Sequence, residues 1–565
     1  MSSTTRAWIR GTGMSSAERF VVFASSIGTV FEWYDFYLYA VLAPFFASLF
    51  FPAGNDTAAL LAAFATYAAG FVVRPFGALL FGRIGDLVGR KYTFLVTIIV
   101  MGSSTFLVGL LPTYARIGWL SPVLLVTLRL LQGLAVGGEY GGAATYVGEH
   151  ARSGERGYAT SWIQTTATGG LALALIIIIG CRQLMPPKAF SEWGWRIPFV
   201  LSVILLLFSL YIRLKLSESP IFLKMKDEGK GSKSPLIDSF VRYPNNKFVL
   251  LATLGATAGM GVVWYTGQFY ALFFLTITLK VSYLPAYLLV LVALLIGMPL
   301  FVFVGGLSDR IGRLKIILAG CLLAALTFFP LFDGLTHYAN PDLESFSKSK
   351  PVTVYANAST CQLHIFVTAF TQFSSCDRAR DLVTNLGVSF KTENVPEMGS
   401  KVTLKIGTVT MEGFDANRWN GAFVDAGYPN LERDGQGKVA PKSADTSKIN
   451  WFMTELILLV MMIYAAMVYG PIAAFLVELF PTRIRYSSIS MPYHIGAGVF
   501  GGMLPLLATA VAAATGNIYA GLWYSVIVAL MTVVIGGAFL RETKDVDIVL
   551  GSGVEAARRA RLSPG

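Results

Sequence analysis

Residues 486–540 contain no Asp, Glu, Lys or Arg. A bilayer hydrocarbon core is about 30 Å thick, and a helix needs about 20 apolar residues to cross it. This run therefore predicts two membrane spans, with a turn at Thr515-Gly516-Asn517. Uncharged runs also occupy 92–115, 157–181, 248–279, 281–308 and 456–477, with shorter ones at 197–212 and 316–332. Three further apolar segments hold isolated charges: 20–50 with Glu32 and Asp35, 57–82 with Arg74, and 117–148 with Arg129 and Glu139. Twelve spans are expected, in an all-α membrane protein.

Composition agrees. The 565-residue chain is 54% hydrophobic and only 14% charged, against about 25% charged in soluble domains. The net charge of +12 is read as basic loops beside a bilayer rather than a nucleic-acid surface. Four cysteines without a C-x-x-C pair give no support to a metal site, and no cofactor is expected. No nucleophile–base pair or phosphate loop suggests an enzyme. Residues 1–19 are polar and the apolar stretch from Phe20 is too long for a signal core, so no cleavable signal is expected.

Lys and Arg recur in alternate loops: Arg83, Arg90 and Lys91; Arg152 and Arg156; Lys224 to Lys233; Arg310, Arg313 and Lys315; Arg483 and Arg485; and Arg558 to Arg561. The loops between are poorer in both, and 51–56 and 514–518 have none. The positive-inside bias puts both termini in the cytoplasm.

Two matches reveal a repeat. Gly82-Arg-Ile-Gly-Asp86-Leu-Val-Gly89-Arg90 and Gly305-Gly-Leu-Ser-Asp309-Arg-Ile-Gly312-Arg313 share G-x-x-x-D-x-x-G-R at an offset of 223. Glu149 to Arg156 and Glu478 to Arg485 match at an offset of 329. The halves are expected to be pseudo-symmetric six-helix bundles, and the unequal offsets locate an insertion at roughly 334–450. The expected organisation is a tail at 1–19, a bundle at 20–216, a cytoplasmic loop at 217–247, spans at 248–333, the insertion, spans at 451–540 and a tail at 541–565.

The insertion carries 12 Lys+Arg and 12 Asp+Glu, so the excess positive charge lies elsewhere. Strand-like stretches at Val352–Ala356, Leu363–Phe373 and Val402–Met411, punctuated by Gly, Pro and Asn, suggest a β-rich periplasmic unit between the ninth and tenth spans. Cys361 and Cys376 lie within it, either as a disulfide or as two free thiols. His337 and His364 stand alone, as polar surface residues.

Charges inside a spanning helix are costly and mark pathways. Glu32, Asp35, Arg74, Arg129 and Glu139 all lie in the first, second and fourth spans, so ion coupling is expected in the amino-terminal half. Glu32 and Asp35, spaced i, i+3, share a helix face. Close carboxylates in a low-dielectric cleft do not both ionise easily, which suits proton coupling; the other reading is a structural pair with Arg74 or Arg129. Arg129 cannot lose its proton, so it takes either a solute carboxylate or an internal ion pair. Arg74 has the same choice, or a role fixing the second span. Glu139 is a gating residue or a solute contact. Trp264, Tyr265, Gln268 and Tyr270 in the seventh span would supply aromatic and amide groups.

Twelve spans with paired G-x-x-x-D-x-x-G-R loops resemble the major facilitator superfamily. Phe31-Glu32-Trp33-Tyr34-Asp35-Phe36, Arg74-Pro75-Phe76-Gly77, Arg129-Leu-Leu-Gln132-Gly133 through Gly137-Gly138-Glu139-Tyr140, and Trp193-Gly194-Trp195-Arg196-Ile197-Pro198-Phe199 resemble its metabolite:proton symporters, which include the proline/betaine, shikimate, citrate and α-ketoglutarate permeases. The resemblance covers about 20–335 and 450–545, not the insertion. It implies a monomeric, multi-pass inner-membrane symporter working by alternating access, with protons and a small organic anion or zwitterion as partners. It implies proton coupling at Glu32 and Asp35, solute contacts at Tyr34, Arg74, Arg129, Gln132 and Gln268, and gating at Asp86, Arg90, Glu139, Asp309 and Arg313. Leu314 stands where Lys91 follows Arg90, which departs from the first copy of the loop. A zwitterion or osmolyte symporter, and a sensor that uses the insertion, remain alternatives.

Overall fold

The structure is a computed structural model describing residues 16–51, 56–87, 90–152, 154–214, 234–362, 364–365, 371–546 and 548. Its described part is mostly helical. Ten helices are long and apolar enough to cross a membrane: Ala59–Ile84, Leu120–Glu149, Arg156–Leu184, Gly194–Tyr211, Asn245–Thr278, Tyr283–Ile311, Arg313–Ala339, Trp451–Leu479, Thr482–Thr515 and Leu522–Phe539. The expected first and third spans correspond to the helix Ser16–Phe50 and to the shorter apolar helix Leu95–Leu110. The ninth expected span continues helically to Ala339, so the first residues assigned to the insertion belong to that helix.

Small residues decide how closely the helices approach. A side chain at Gly133 would meet the Gly70 carbonyl, and one at Gly137 would meet the carbonyl of Arg74. The helix Leu120–Gly137 therefore lies backbone to backbone against Asp56–Val72 and Arg74–Leu87, bringing Arg129 and Arg74 close together. The chain is interrupted at Val73, between those two helices: Pro75 has no N–H to donate to the carbonyl of Phe71 four residues back, so one helix does not run on unbroken.

The carboxy-terminal helices contain π-helical turns, at Thr253–Thr257, Thr266–Tyr270, Phe274–Thr278 and His494–Gly501. Such widened turns rotate side chains out of the α register and concentrate at functional sites.

Between Ala339 and Trp451 the chain folds as a small mixed α/β cap. Its four-stranded sheet has β1 (Val352–Ala356) parallel to β2 (Phe390–Asn394) and antiparallel to β3 (Val402–Ile406), with β4 (Val409–Glu412) at the edge. Val352, Val354, Ala356, Val402, Leu404 and Ile406 alternate inward, as a half-buried sheet requires. The helices Ser375–Asn385 and Ala416–Asp425 accompany it. The expected strand Val402–Met411 is a hairpin, turned at Gly407 with φ of 56°. The expected strand Leu363–Phe373 is corrected: its described residues are irregular, and 363 and 366–370 lie outside the described residues. Cys361 and Cys376 form a disulfide, with Cα atoms 5.3 Å apart.

The cap is tied to the carboxy-terminal half. Asn340 Nδ2 donates to the Leu279 carbonyl at 2.8 Å, and Ala444 N donates to that of Lys280 at 2.9 Å. Phe390 N donates to Gly516 O at 2.7 Å and Asn450 N to Tyr338 O at 2.9 Å. The helix Ser375–Asn385 also packs on both Asp56–Val72 and Leu504–Thr515.

Candidate functional site

Arg74 reaches from the amino-terminal half into the space between the two halves of the chain. Its guanidinium is fully buried, 4.0 Å from the ring centre of Phe71 and 4.1 Å from that of Phe36, with Trp33 at 5.5 Å. Its nearest polar neighbour is the hydroxyl of Tyr265, and none of its three nitrogens reaches an acceptor with good hydrogen-bond geometry. Across the interface, Tyr265 meets Phe71 edge-on at 5.4 Å, and a methyl on Gly498 would touch Arg74 Cδ at 3.6 Å. Cation–π contacts compensate part of the lost hydration, but a buried arginine has five donor hydrogens to satisfy.

More buried polar atoms without hydrogen-bond partners belong to Trp264 Nε1, both amide atoms of Gln268 and the Tyr67 hydroxyl, and the ring of His494 has the backbone of Gly137 in hydrogen-bonding reach. Trp264, Gln268 and His494 come from the carboxy-terminal half. Rings knit this region together: Tyr37 lies 5.9 Å from Trp264, and Tyr140 stacks on Tyr493.

Arg129 is held differently. Its Nη1 donates to Gln132 Oε1 at 2.7 Å and to Phe36 O at 3.4 Å, while Nε and Nη2 make no hydrogen bond. Gln132 Nε2 donates to Thr105 Oγ1 at 2.8 Å, and the Thr105 hydroxyl itself donates to Met101 O at 3.0 Å, with the carboxyl of Asp35 close by. Two neutral side chains, Thr105 and Gln132, thus stand between Asp35 and Arg129, which form no ion pair. Gln132, a candidate solute contact, is committed to this chain of bonds. Tyr34, another candidate, is turned to the helix Ile197–Leu214, where its hydroxyl donates to Pro198 O at 2.7 Å.

Glu32 and Glu139 line a small separate pocket with Thr29, Trp33 and Tyr140. Thr29 Oγ1 donates to Glu139 Oε1 at 3.3 Å. Glu139 sits where the helices Leu120–Gly137 and Tyr140–His150 break.

The gating candidates Asp309 and Arg313 lie in a buried network at one end of the helices. Asp309 accepts from the amides of Gly157 and Tyr158, both at 2.9 Å, so it caps the amino terminus of Arg156–Leu184 from the other half of the chain. Arg313 Nη2 pairs with Asp309 at 2.7 Å and with Glu478 at 3.0 Å. Arg156 lies 3.7 Å from Glu478, and Arg485 lies 2.8 Å from Glu149. The side chains of Asp86 and Arg90, the other gating candidates, lie outside the described residues. Site-by-site reading of the sequence missed Thr105 and the pairs at Glu149 and Glu478; the 329-residue repeat was the signal that contained the latter.

The sugar (and other) transporter family matches residues 21–372. The chain belongs to that family of the major facilitator superfamily. The α-ketoglutarate permease of Escherichia coli is 36% identical over 320 residues, covering 57% of this chain and 72% of that protein. A putative metabolite transport protein of Haemophilus influenzae is 31% identical over 530 residues, covering 93% of this chain and 94% of that protein. Among solved structures, the proton:xylose symporter XylE from E. coli superposes with a TM-score of 0.59 at 15% identity, covering 96% of this chain and 98% of its own. The protein is thus a multi-pass membrane transporter of the superfamily fold, not an enzyme.

Proposed function

We propose that this transporter is a proton-coupled symporter that takes a small carboxylate-bearing metabolite across the inner membrane. In this reading twelve spans form two six-helix halves, both termini are cytoplasmic and the cap is on the outer face. The observation that carries the solute class is Arg74: a buried guanidinium in an aromatic cage, with the neutral Tyr265 hydroxyl beside it and no anionic partner, at the meeting of the two halves. A carboxylate supplies the missing acceptors in a bidentate pair, and the buried donors of Trp264 and Gln268 would serve the rest of a polar solute. Alternating access puts the solute between the halves of such a fold. The name of the E. coli relative points to the same chemistry.

Asp35 is the proton carrier in this reading. It is buried, it has no ion-pair partner, and Thr105 and Gln132 stand between it and Arg129. Glu32, on the same helix face and open to the Glu139 pocket, passes the proton on. Asp309, Arg313, Glu478 and Arg485 hold one end of the pathway shut.

Uptake into proteoliposomes tests the reading. An inward proton gradient should drive accumulation of an organic acid such as α-ketoglutarate. Asp35→Asn should abolish gradient-driven accumulation, and Arg74→Gln should abolish transport. Accumulation indifferent to the gradient would end the coupling claim.

A further inference from the structure

His494 is a buried titratable group to which the reading above gives no role. It opens the π-helical turn His494–Gly501 and is fully buried, with the backbone of Gly137 within hydrogen-bonding reach of the ring. An imidazole has two ring nitrogens, so one accepted bond leaves the other nitrogen for a proton or a solute. Arg74 is the charge that faces it, and the backbone of Gly137 approaches it from the amino-terminal half. The ring of Tyr493 stands edge-on at 5.2 Å. The titratable groups of the elements packed against this turn are Asp56, Tyr67, Arg74, Arg83 and Asp86 on 56–87, Tyr265 on Ala258–Tyr265, and Arg485, Tyr486 and Tyr493 on Arg485–Tyr493. The side chains of Asp56 and Asp86 lie outside the described residues. Of the others, Arg485 is engaged with Glu149 and the Tyr486 hydroxyl with the carbonyl of Gly138, while Arg83 is exposed. Among the described side chains, Arg74 is thus the cation that faces His494 without an ion-pair partner.

We propose that His494 is a second proton-binding residue of the solute site, protonated when a carboxylate settles on Arg74. The inference rests on the reading of Arg74 as the solute's anchor. Its logic is electrostatic. Beside a bare guanidinium in a low-dielectric interior, a second positive charge is strongly disfavoured. A carboxylate on Arg74 removes that repulsion and offers the imidazolium a charge-assisted hydrogen bond. Solute binding and proton uptake then favour each other reciprocally. The proton goes to the imidazole nitrogen and no bond to the solute is made or broken. The site carries two cations, one from each half of the chain, and so suits a dianion best.

The test is calorimetric binding of α-ketoglutarate, succinate and acetate to the full-length protein at pH 6, 7 and 8. Buffers of different ionisation heat report the protons taken up per solute. Wild-type protein should take up more protons than His494→Gln at pH 8, by about one per dianion. Its affinity should fall up to about tenfold per pH unit between about pH 6 and pH 8, and the variant's profile should be flatter by that factor. His494→Asn provides a second variant of different volume. Equal proton uptake and equal slopes in wild type and both variants would overturn the proposal, while loss of binding in Arg74→Gln would leave the anchor reading standing. Unchanged binding in Arg74→Gln, or no binding of any of the three acids, would remove both.

Discussion

Glu149 pairs with Arg485 at 2.8 Å, and their equivalents one repeat away, Glu478 and Arg156, face each other at 3.7 Å in the opposite sense. Each repeat thus lends its acid to the other's arginine across the two halves of the chain. The bonds are unequal. Glu478 is shared among Arg156, Arg313 and the Thr543 hydroxyl, which donates at 2.8 Å, and the pair of Arg485 with Glu149, both side chains 1% exposed, is the shorter of the two. Breaking a buried pair by removing one partner costs about 3–5 kcal/mol. Arg485→Gln should therefore lower the unfolding midpoint more than Arg156→Gln, and Glu149→Gln combined with Arg485→Gln should recover part of the loss. Thermal melts of the four proteins in detergent check the order.

Arg74→Lys is expected to cut uptake at least about tenfold. An ammonium keeps the charge but lacks the planar fork and stacks poorly on rings, so the contacts to Phe36 and Phe71 are weakened together with carboxylate binding. Initial rates against solute concentration check this, with the loss expected in apparent affinity as well as in maximal rate.

Thr105→Val is expected to reduce gradient-driven accumulation while leaving solute exchange at equal pH within about twofold. The hydroxyl that faces Asp35 and receives Gln132 is lost, at a cost of order 1 kcal/mol per hydrogen bond. Thr105→Ser should restore accumulation. Equal losses in exchange and accumulation would reduce Thr105 to a packing residue.

The cap carries its own acid sensitivity. Burial pushes the Asp377 carboxyl up, but the amides of Gln362 and Ser374 and the His364 side chain outweigh it and hold the group below its usual 3.8. A carboxyl lowered by folding stabilises fully above the unfolded value, and that contribution is lost as pH falls through the folded one. The cap should lose stability below about pH 4, and Asp377→Asn should remove that acid-dependent part. Ser374 and Asp377 also close a capping box at the start of Ser375–Asn385, so Ser374→Ala should cost about 1 kcal/mol. Limited proteolysis between pH 3 and pH 7 checks both.

Much of this architecture was legible because lipid imposes a crude rule. Stretches such as 281–308 and 486–540 could not be loops, and they are helical. The repeat offsets exposed the insertion, although the helix ending at Ala339 ran further than the charge pattern suggested. What stayed hidden depends on contacts between distant segments. Nothing local marks Gln132 as the partner of both Arg129 and Thr105, or Tyr34 as turned to Pro198. The π-helical turns that present Gln268 and His494, and close approaches such as that of Gly261 to Gly496, are not encoded in periodicity. In the cap, alternation identified β1, but it ran through the turn at Gly407 and misread the stretch around His364.

The hydrogen bonds that moor the cap run to Leu279, Lys280, Gly516 and Tyr338, all in the carboxy-terminal half, while its helix Ser375–Asn385 also leans on Asp56–Val72. It stands like a bollard bolted to one deck and touching the other. Any tilt of one bundle against its neighbour has to slide or lift that unbolted contact, so a dye placed on the exposed Arg378 would register the motion from outside the helices that perform it.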